Sequence, residues 1–254
     1  MKTIVIANQK GGVGKSTTAV NLSSAIGMNG KRVLLVDIDP QGNATTGLGV
    51  DKWNLQKTIY DVLIGKHRVG DVILQTKWKG VSLLPSNIEL TGAEIELVSV
   101  VSRETRLREA LKEVKELYDF IFIDCPPSLG LLTLNGLVAA DSILIPVQCE
   151  YYALEGLQQL LNTIDMVKKY LNPTLRIEGI LLTMYDLRTN LSRDVAEEVS
   201  KYFGDKVYET KIPRSVRIGE SPSYGKPVVY YSPESSGAVS YVQLAKEVLR
   251  CDTE

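Results

Sequence analysis

The residues best suited to chemistry lie near the start of the chain, where glycines, lysines and hydroxyl groups follow a short apolar run. The apolar run spans residues 3–7, and it is followed by Lys10, Gly11, Gly12, Val13, Gly14, Lys15, Ser16 and Thr17. Glycines let successive backbone N–H groups point at one anion, and a helix starting near Ser16 adds its N-terminal dipole. Lys15 can neutralise charge between the β and γ phosphates, while Ser16 can ligate Mg²⁺. The pattern predicts a site for a nucleoside triphosphate.

Carboxylates follow two further apolar runs. Residues 120–123 are apolar and deliver Asp124 to the carboxyl edge of a sheet, which is a Walker B pattern. Asp124 is predicted to hold Mg²⁺ through its water shell, because Mg²⁺ dehydrates reluctantly. Asp37 and Asp39 end another strand, and alternation places both side chains on one face. We therefore expect these carboxylates to converge on the triphosphate.

Apolar runs alternate with helical periodicity along the chain, which predicts an α/β fold of the P-loop NTPase type. A mostly parallel sheet would carry helices on both faces. Strands are expected at residues 3–7, 33–36, 81–84, 120–123, 142–145 and 179–182. One helix is expected over residues 102–118, with Glu104 and Arg108 paired on its outer face. Ser232 is expected to cap the last helix, with Pro233 in its first turn.

Length and composition describe a globular chain. Its 254 residues, 44% of them hydrophobic, can bury a large core, and residues 1–254 are expected to form one domain. The three cysteines, at 125, 149 and 251, form no disulfide or metal-binding pattern, which favours a reducing cytoplasm. No leader precedes the first strand and no apolar run approaches membrane-spanning length. We expect a cytoplasmic protein with no membrane partner.

The phosphate-binding pattern departs from the standard P-loop in one respect. Gln9 stands where the first glycine belongs, and Lys10 follows it. In this respect residues 10–17 resemble the deviant Walker A motif of the ParA/MinD group of P-loop ATPases. Four later segments resemble the short, chromosomal type of ParA, often called Soj, and they lie at residues 37–43, 124–130, 146–153 and 212–227. Their order and spacing also agree.

The resemblance implies catalytic roles for Lys10, Lys15 and Asp39. Lys10 would reach across an ATP-bridged homodimer to the phosphates of the partner subunit, where it would stabilise developing charge. Asp39 would position or activate the attacking water, and it would lie with Ser16 and Asp124 around the Mg²⁺. Turnover by one chain alone should then be slow, because its site is incomplete.

The nucleotide base is predicted from an absent motif. GTPases commonly carry an N/T-K-x-D element that pairs with guanine, and no such tetrad occurs in this sequence. ATP, with Mg²⁺, is therefore the predicted cofactor. The resemblance also implies that the loop at Pro213 contacts the adenine.

A DNA-binding switch is the function that the resemblance implies. The ATP-bound dimer would bind DNA without sequence preference on the nucleoid, and a ParB-type activator would stimulate hydrolysis and release. A net charge of −1 requires the DNA surface to be a local patch. Residues 206–226 carry a net charge of +3. The candidate contacts are Arg188, Arg214 and Arg217, and the sequence leaves open which of them binds DNA.

Proteins of other functional classes share this predicted fold, and each class would require different sequence features. A membrane-associated MinD-like positioning ATPase is the main alternative, and it would need a basic amphipathic helix near the C-terminus, where this chain has Asp252 and Glu254. An iron–sulfur reductase would need cysteines that bridge a dimer, a pattern that Cys125 and Cys149 do not match. A metabolic ligase or kinase stays open, although no substrate pocket for one can be identified.

Overall fold

A seven-stranded sheet lies at the centre of the computed structural model. The structure describes residues 1–150 and 153–251, and of residues 153–156 and 251 it describes the backbone alone. The strands are β1 Lys2–Ile6, β2 Val33–Asp37, β3 Leu74–Gln75, β4 Val81–Leu84, β5 Phe120–Asp124, β6 Ser142–Gln148 and β7 Arg176–Thr183. Their order is β3-β4-β2-β5-β1-β6-β7, and only β3 runs antiparallel to its neighbour. The predicted mostly parallel sheet is confirmed.

Helices connect the strands and follow the last of them. The α-helices are α1 Lys15–Met28, α2 Asn43–Gly47, α3 Ile59–Ile64, α4 Leu90–Glu96, α5 Arg106–Leu111, α6 Leu131–Ala139, α7 Ala153–Tyr170, α8 Asn190–Phe203, α9 Val216–Glu220, α10 Val228–Tyr231 and α11 Ser236–Cys251. Short 3₁₀ turns lie at Val69–Asp71, Leu97–Ser99, Arg103–Thr105, Lys115–Leu117, Gly204–Lys206 and Ser221–Tyr224. Within the described ranges, no helix is both long and apolar enough to cross a bilayer.

Two hydrophobic clusters cover the two faces of the sheet. Successive strand residues point to opposite faces, so in β1 Ile4 and Ile6 join one cluster while Val5 joins the other. Buried residues of α1 and α11 pack on the first face, and buried residues of α5 to α8 pack on the second. Helices on both faces are therefore confirmed, and the carboxyl ends of the strands are left to form a site.

The six predicted strands are all present, with boundaries that differ by a few residues. The additional strand, β3, is only two residues long and pairs antiparallel with Leu83 and Ser82 of β4. A two-residue edge strand has too few residues to show an alternating pattern, so the sequence gives no signal for it.

The prediction of one helix over residues 102–118 is wrong. The segment forms a 3₁₀ turn, α5 and a second 3₁₀ turn, since Val114 and Leu117 close their turns with i→i−3 hydrogen bonds. Buried Leu107, Leu111 and Val114 hold these short turns against the core. The expected pair between Glu104 and Arg108 is replaced by contacts of each with its sequence neighbour, Arg103 and Glu109.

The predicted start of the last helix is also wrong, by a few residues. Helix α11 begins at Ser236, and the hydroxyl of Ser235 accepts a hydrogen bond from the N–H of Ala238 at 3.3 Å. Ser232 instead ends the short helix α10, where its carbonyl accepts from Ser235. Two serines at this spacing are equivalent in a sequence pattern, and in the structure the first of them is the C-cap of α10.

Candidate functional site

The loop between β1 and α1 forms a cradle of backbone amides. Gly12 and Gly14 have φ angles of +75° and +90°, which residues with a Cβ rarely adopt. Gly14 precedes the first turn of α1 and no side chain caps that turn, so its N–H groups stay available for an anion. Val13 is buried beneath the loop, where its carbonyl accepts a hydrogen bond from the Thr183 hydroxyl at 2.8 Å.

Lys15 lies in this cradle with its side chain mostly buried. Its ammonium donates a hydrogen bond to the carbonyl of Lys10 at 3.1 Å, which bends the side chain back over the loop. Burial lowers the pKa of Lys15, and the nearby carboxylates of Asp124 and Asp39 oppose that shift. The arrangement presents a cation to whatever anion the loop amides hold.

Asp124 ends β5 beside the cradle, and its carboxylate is buried. Neither of its oxygens accepts a hydrogen bond from the described residues. Burial raises the pKa of Asp124 well above its usual range, the adjacent Asp37 raises it further, and Ser16 and Lys15 act in the opposite direction. A buried carboxylate without donors next to a serine hydroxyl fits a divalent cation that arrives with its own water.

The protein supplies few direct ligands for such a cation. The described residues contain no cluster of three or more histidine, cysteine or acidic side chains that could bind a metal by themselves. That donor set fits Mg²⁺ held by one hydroxyl, by phosphate oxygens and by water, which is the arrangement expected in a P-loop site.

Asp39 and Asp37 have different surroundings in the structure. Asp39 lines the cavity above the cradle, and its Oδ1 accepts from the N–H of Gln41 at 2.9 Å. Asp37 is completely buried, and its carboxylate accepts hydrogen bonds from Thr45 and from the N–H of Asp39. Both carboxylates lie close to that of Asp124, but only Asp39 lines the cavity.

The cavity that begins at the cradle has a volume of about 670 Å³. Gly11, Gly12, Gly14, Lys15, Ser16 and Thr17 of the predicted nucleotide-binding set line it. Three predicted residues, Lys10, Val13 and Pro213, are absent from the lining. Residues that the sequence did not single out also line it, and these include Asn21, Trp53, Met184, Ser221 and Pro222. They come from distant segments that only the fold brings together.

Met184 is the most unusual of these additional residues. It follows β7 and has a φ angle of +50°, in the left-handed region that side chains with a Cβ disfavour. Such strain is found at ligand-binding positions, where the surrounding structure maintains it. Met184 forms part of the cavity wall, and no sequence signal marks a residue of this kind.

Comparisons with known proteins agree with this geometry. A family model described as an AAA domain matches residues 1–177. The chain is 61% identical over 247 residues to the sporulation initiation inhibitor protein Soj of Bacillus subtilis (strain 168), an alignment that covers 97% of this chain and 98% of that protein. It is 53% identical over 252 residues to the chromosome partitioning protein ParA of Myxococcus xanthus (strain DK1622), covering 99% and 89%. This chain belongs to the ParA/Soj family of chromosome-partitioning ATPases.

A solved structure shares the fold of this ParA/Soj protein. The crystal structure of cobyrinic acid a,c-diamide synthase from Mycobacterium smegmatis, with bound ATP analogue and magnesium, matches with a TM-score of 0.88 and 40% identity. The match covers 98% of this chain and 95% of that one. The P-loop NTPase fold and the ATPase activity predicted from the sequence are thus confirmed.

The three candidate DNA-binding arginines of this ParA/Soj chain have different surroundings. Arg188 forms a two-bond contact with Asp186, at 2.9 Å and 2.7 Å, and Arg217 contacts Glu220 at 2.9 Å. Arg214 makes no ion pair with any described residue. Its backbone N–H donates to the carbonyl of Tyr185, which joins the two loops that carry Arg214 and Arg188.

Proposed function

We propose that this protein is an ATP-dependent dimerising switch that binds DNA without sequence preference in its ATP state. Hydrolysis, stimulated by a ParB-type activator, would release the DNA, and the protein would act on the nucleoid in the cytoplasm. The observation that carries the proposal is the placement of Lys10. It stands in the phosphate-binding loop, yet its ammonium contacts Glu150 and it is absent from the lining of its own cavity.

In the proposed site, residues of one chain bind and orient the nucleotide. The amides of Gly11, Gly12 and Gly14 and the first turn of α1 hold the phosphates, and Lys15 balances their charge. Ser16 and Asp124 would hold Mg²⁺, which supplies charge neutralisation at the phosphate oxygens. Pro213 remains a proposed adenine contact, although it does not line the cavity of the isolated chain.

Asp39 is the residue proposed to position the attacking water. One of its carboxylate oxygens is held by the N–H of Gln41, while the other accepts no hydrogen bond from the described residues. The free oxygen belongs to a side chain that lines the cavity, so it can accept a proton or a hydrogen bond from water beside the phosphates and Mg²⁺. Lys10 of the partner subunit would complete the site by stabilising charge in the transition state.

The local charge of one region supports the DNA part of the proposal. The chain as a whole has a net charge of −1, but residues 206–226 carry +3 and include Arg214 and Arg217. The loop that carries Arg188 lies against this region. Two copies in a dimer would double the patch, and each phosphate contact would add affinity through counterion release.

A specific feature of α11 favours DNA over a membrane as the partner. A membrane-associated MinD-like ATPase would need the apolar face of a C-terminal helix to be free. In this chain one face of α11 is buried against α1 and the sheet through Ala238, Tyr241, Leu244, Ala245 and Val248, while Val239 is the exposed apolar residue among those described in this helix. That helix therefore stabilises the core.

Co-sedimentation tests the proposal directly. The protein is centrifuged with non-specific DNA and, separately, with anionic liposomes, each with ATP, ADP or no nucleotide. Sedimentation with DNA only in ATP supports the switch, because a ligand shifts an equilibrium only by its differential affinity. Sedimentation with liposomes would favour the MinD-like alternative. Light scattering of the Asp39→Ala variant with Mg-ATP tests the dimer, and a mass of one chain would contradict it.

A further inference from the structure

Two buried hydroxyl side chains, those of Thr45 and Ser86, belong to the hydrogen-bond network around Asp39. Thr45 lies in α2 and Ser86 lies just beyond β4, and neither side chain reaches solvent. Neither residue lines the nucleotide cavity. Ser86 contacts Asp39 directly, whereas Thr45 is connected to it through Asp37 and Ser86.

The hydrogen bonds of these residues fix the backbone of Asp39 from both sides. The Ser86 hydroxyl donates to the carbonyl of Asp39 at 2.8 Å, and the N–H of Asp39 donates to Oδ1 of Asp37 at 3.1 Å. The Thr45 hydroxyl donates to Oδ2 of Asp37 at 2.8 Å, and it accepts from the N–H of Ser86 at 3.0 Å. The four residues form one connected buried network.

The turn that follows Asp39 leaves little room for movement. A Cβ built on Gly42 would lie 2.9 Å from the Ser86 carbonyl oxygen, and Gly42 has a φ angle of +60°. The turn thus rests directly on Ser86. With its N–H, its carbonyl and one carboxylate oxygen all held, Asp39 has a single free oxygen at a fixed place in the cavity wall.

We propose that Ser86 and Thr45 are positioning residues for the hydrolysis reaction, and that they act by fixing Asp39. The inference rests on the water-positioning role proposed above for Asp39. Precise placement matters because a catalytic group displaced by about 1 Å can lose about 100-fold in rate. Satisfied buried networks are rigid, and one lost member frees the rest to shift.

The inference predicts a separation of turnover from binding. Ser86→Ala removes the donor to the Asp39 carbonyl, and we expect kcat to fall about tenfold while ATP affinity changes less than about twofold, since one lost hydrogen bond displaces Asp39 only in part. Thr45→Val removes the other hydroxyl at nearly constant volume and should have a similar effect. Thr45→Ser retains the hydroxyl and should restore most of the turnover.

Ser24→Ala is a matched control. Ser24 is also fully buried, and its hydroxyl donates to a backbone carbonyl, that of Val20, at 2.7 Å within α1. It should reduce thermal stability about as much as Ser86→Ala does and leave kcat unchanged. If Ser24→Ala and Ser86→Ala lower kcat equally, or if ATP affinity falls together with kcat, the positioning role is overturned.

Asp39→Ala separates a failure of this inference from a failure of the proposed function. If Asp39→Ala hydrolyses ATP at the rate of the unchanged protein, the role of Asp39 is wrong and the inference is wrong with it. If Asp39→Ala stops turnover while Ser86→Ala and Thr45→Val retain it in full, only the inference is overturned. Thr45→Val and Thr45→Ser decide the matter if Ser86→Ala does not fold.

Discussion

The ammonium of Lys10 lies 3.0 Å from Oε2 of Glu150 in the same chain. Glu150 follows β6, and its other oxygen accepts from the side-chain amide of Gln148. The N–H of Lys10 donates to Asn8, whose amide donates to the carbonyl of Pro146 in β6. Lys10 is therefore engaged within its own subunit, whereas the proposed dimer requires it in the neighbouring site.

Glu150→Gln should therefore promote dimerisation. The change removes the charge that holds Lys10, so less free energy is needed to transfer the lysine to the partner's phosphates. Both side chains are partly exposed, and such pairs contribute little, so we expect the dimerisation constant to rise by up to about fivefold. Sedimentation equilibrium with Mg²⁺ and a non-hydrolysable ATP analogue measures it.

Glu113→Gln is the control for this experiment. It removes a different exposed contact, in which Nε of Arg68 lies 3.8 Å from Oε2 of Glu113, on residues that do not line the nucleotide cavity. Dimerisation should not change. A weaker dimer in Glu150→Gln would mean that this carboxylate supports the assembled state, and it would refute the competition between the two positions of Lys10.

Lys10→Ala should abolish hydrolysis and weaken dimerisation while some nucleotide binding persists. A cation that stabilises transferred charge contributes about 10³-fold or more to phosphoryl transfer. Nucleotide binding persists because the cradle and Lys15 remain, and the contact of Lys15 is to the backbone of residue 10. Steady-state turnover and nucleotide fluorescence measure the two effects, and Lys112→Ala, at the residue that follows α5, serves as the control.

Mixing two inactive variants tests whether Lys10 acts in the partner subunit. A dimer of one Lys10→Ala chain and one Asp39→Ala chain has one complete site, because the first chain supplies Asp39 and the second supplies Lys10. At protein concentrations that keep both variants fully dimeric, with random exchange of subunits, half of the dimers in an equal mixture are of this kind, so about a quarter of the original turnover should return. No recovery would place the action of Lys10 within its own subunit.

The features that could be predicted correctly from the sequence are those that depend on local backbone conformation. Strands with continuous apolar runs, such as Phe120–Asp124, and the glycines at 12 and 14 have one workable conformation, so pattern alone places them. The cradle, Lys15, Ser16 and Asp124 therefore lie together as expected. Six of the strands could be identified for the same reason.

Tertiary contacts decide the features that the sequence did not predict. The segment over residues 102–118 has helical periodicity, yet packing against α6 divides it into short turns. Met184 reaches the cavity through a strained backbone, and Asp37 is completely buried and accepts hydrogen bonds from Thr45. These outcomes depend on residues far away in the chain, which no local pattern contains.

Arg214→Ala should weaken DNA binding more than Arg188→Ala or Arg217→Ala. Arg188 and Arg217 must each give up a carboxylate contact before they can bind a phosphate, and Arg214 has no such contact with the described residues. The loss should be equal for duplexes of different sequence, and the salt slope should fall by about 0.9. Fluorescence anisotropy between about 50 and 200 mM salt measures both.

Arg68→Ala is the matched control for the DNA experiment. It removes one positive charge that pairs with Glu113, outside the proposed patch. Its salt slope should equal that of the unchanged protein. If alanine substitutions of Arg68 and of the three candidate arginines all change the salt slope of DNA binding equally, DNA binding depends on net charge and the proposed patch is wrong.

Asp119 should make part of the stability dependent on pH. Its carboxylate accepts from the backbone N–H of Arg32 at 2.8 Å and from the guanidinium at 2.9 Å, and these bonds lower the pKa of Asp119 to about 2. In the unfolded chain its pKa is about 3.9. Because the pKa of Asp119 is lower in the folded chain, the ionised carboxylate stabilises the folded state at pH values above the unfolded pKa. This stabilisation is lost as the pH falls toward the folded pKa of Asp119.

Asp119→Asn removes this contribution and keeps a side chain of similar size. We expect the variant to be slightly less stable than the unchanged protein at pH 7, because the pair is largely in contact with water. The difference in free energy of unfolding between the two proteins should be constant down to about pH 5. It should become smaller between about pH 4 and 2, where Asp119 is increasingly protonated in the unfolded chain but still ionised in the folded one. Urea unfolding at constant ionic strength measures it. In an Arg32→Ala background, Asp119→Asn should show a much smaller change of this stability difference with pH. If the stability difference between Asp119→Asn and the unchanged protein stays constant from neutral to acidic pH, the lowered pKa of Asp119 is wrong.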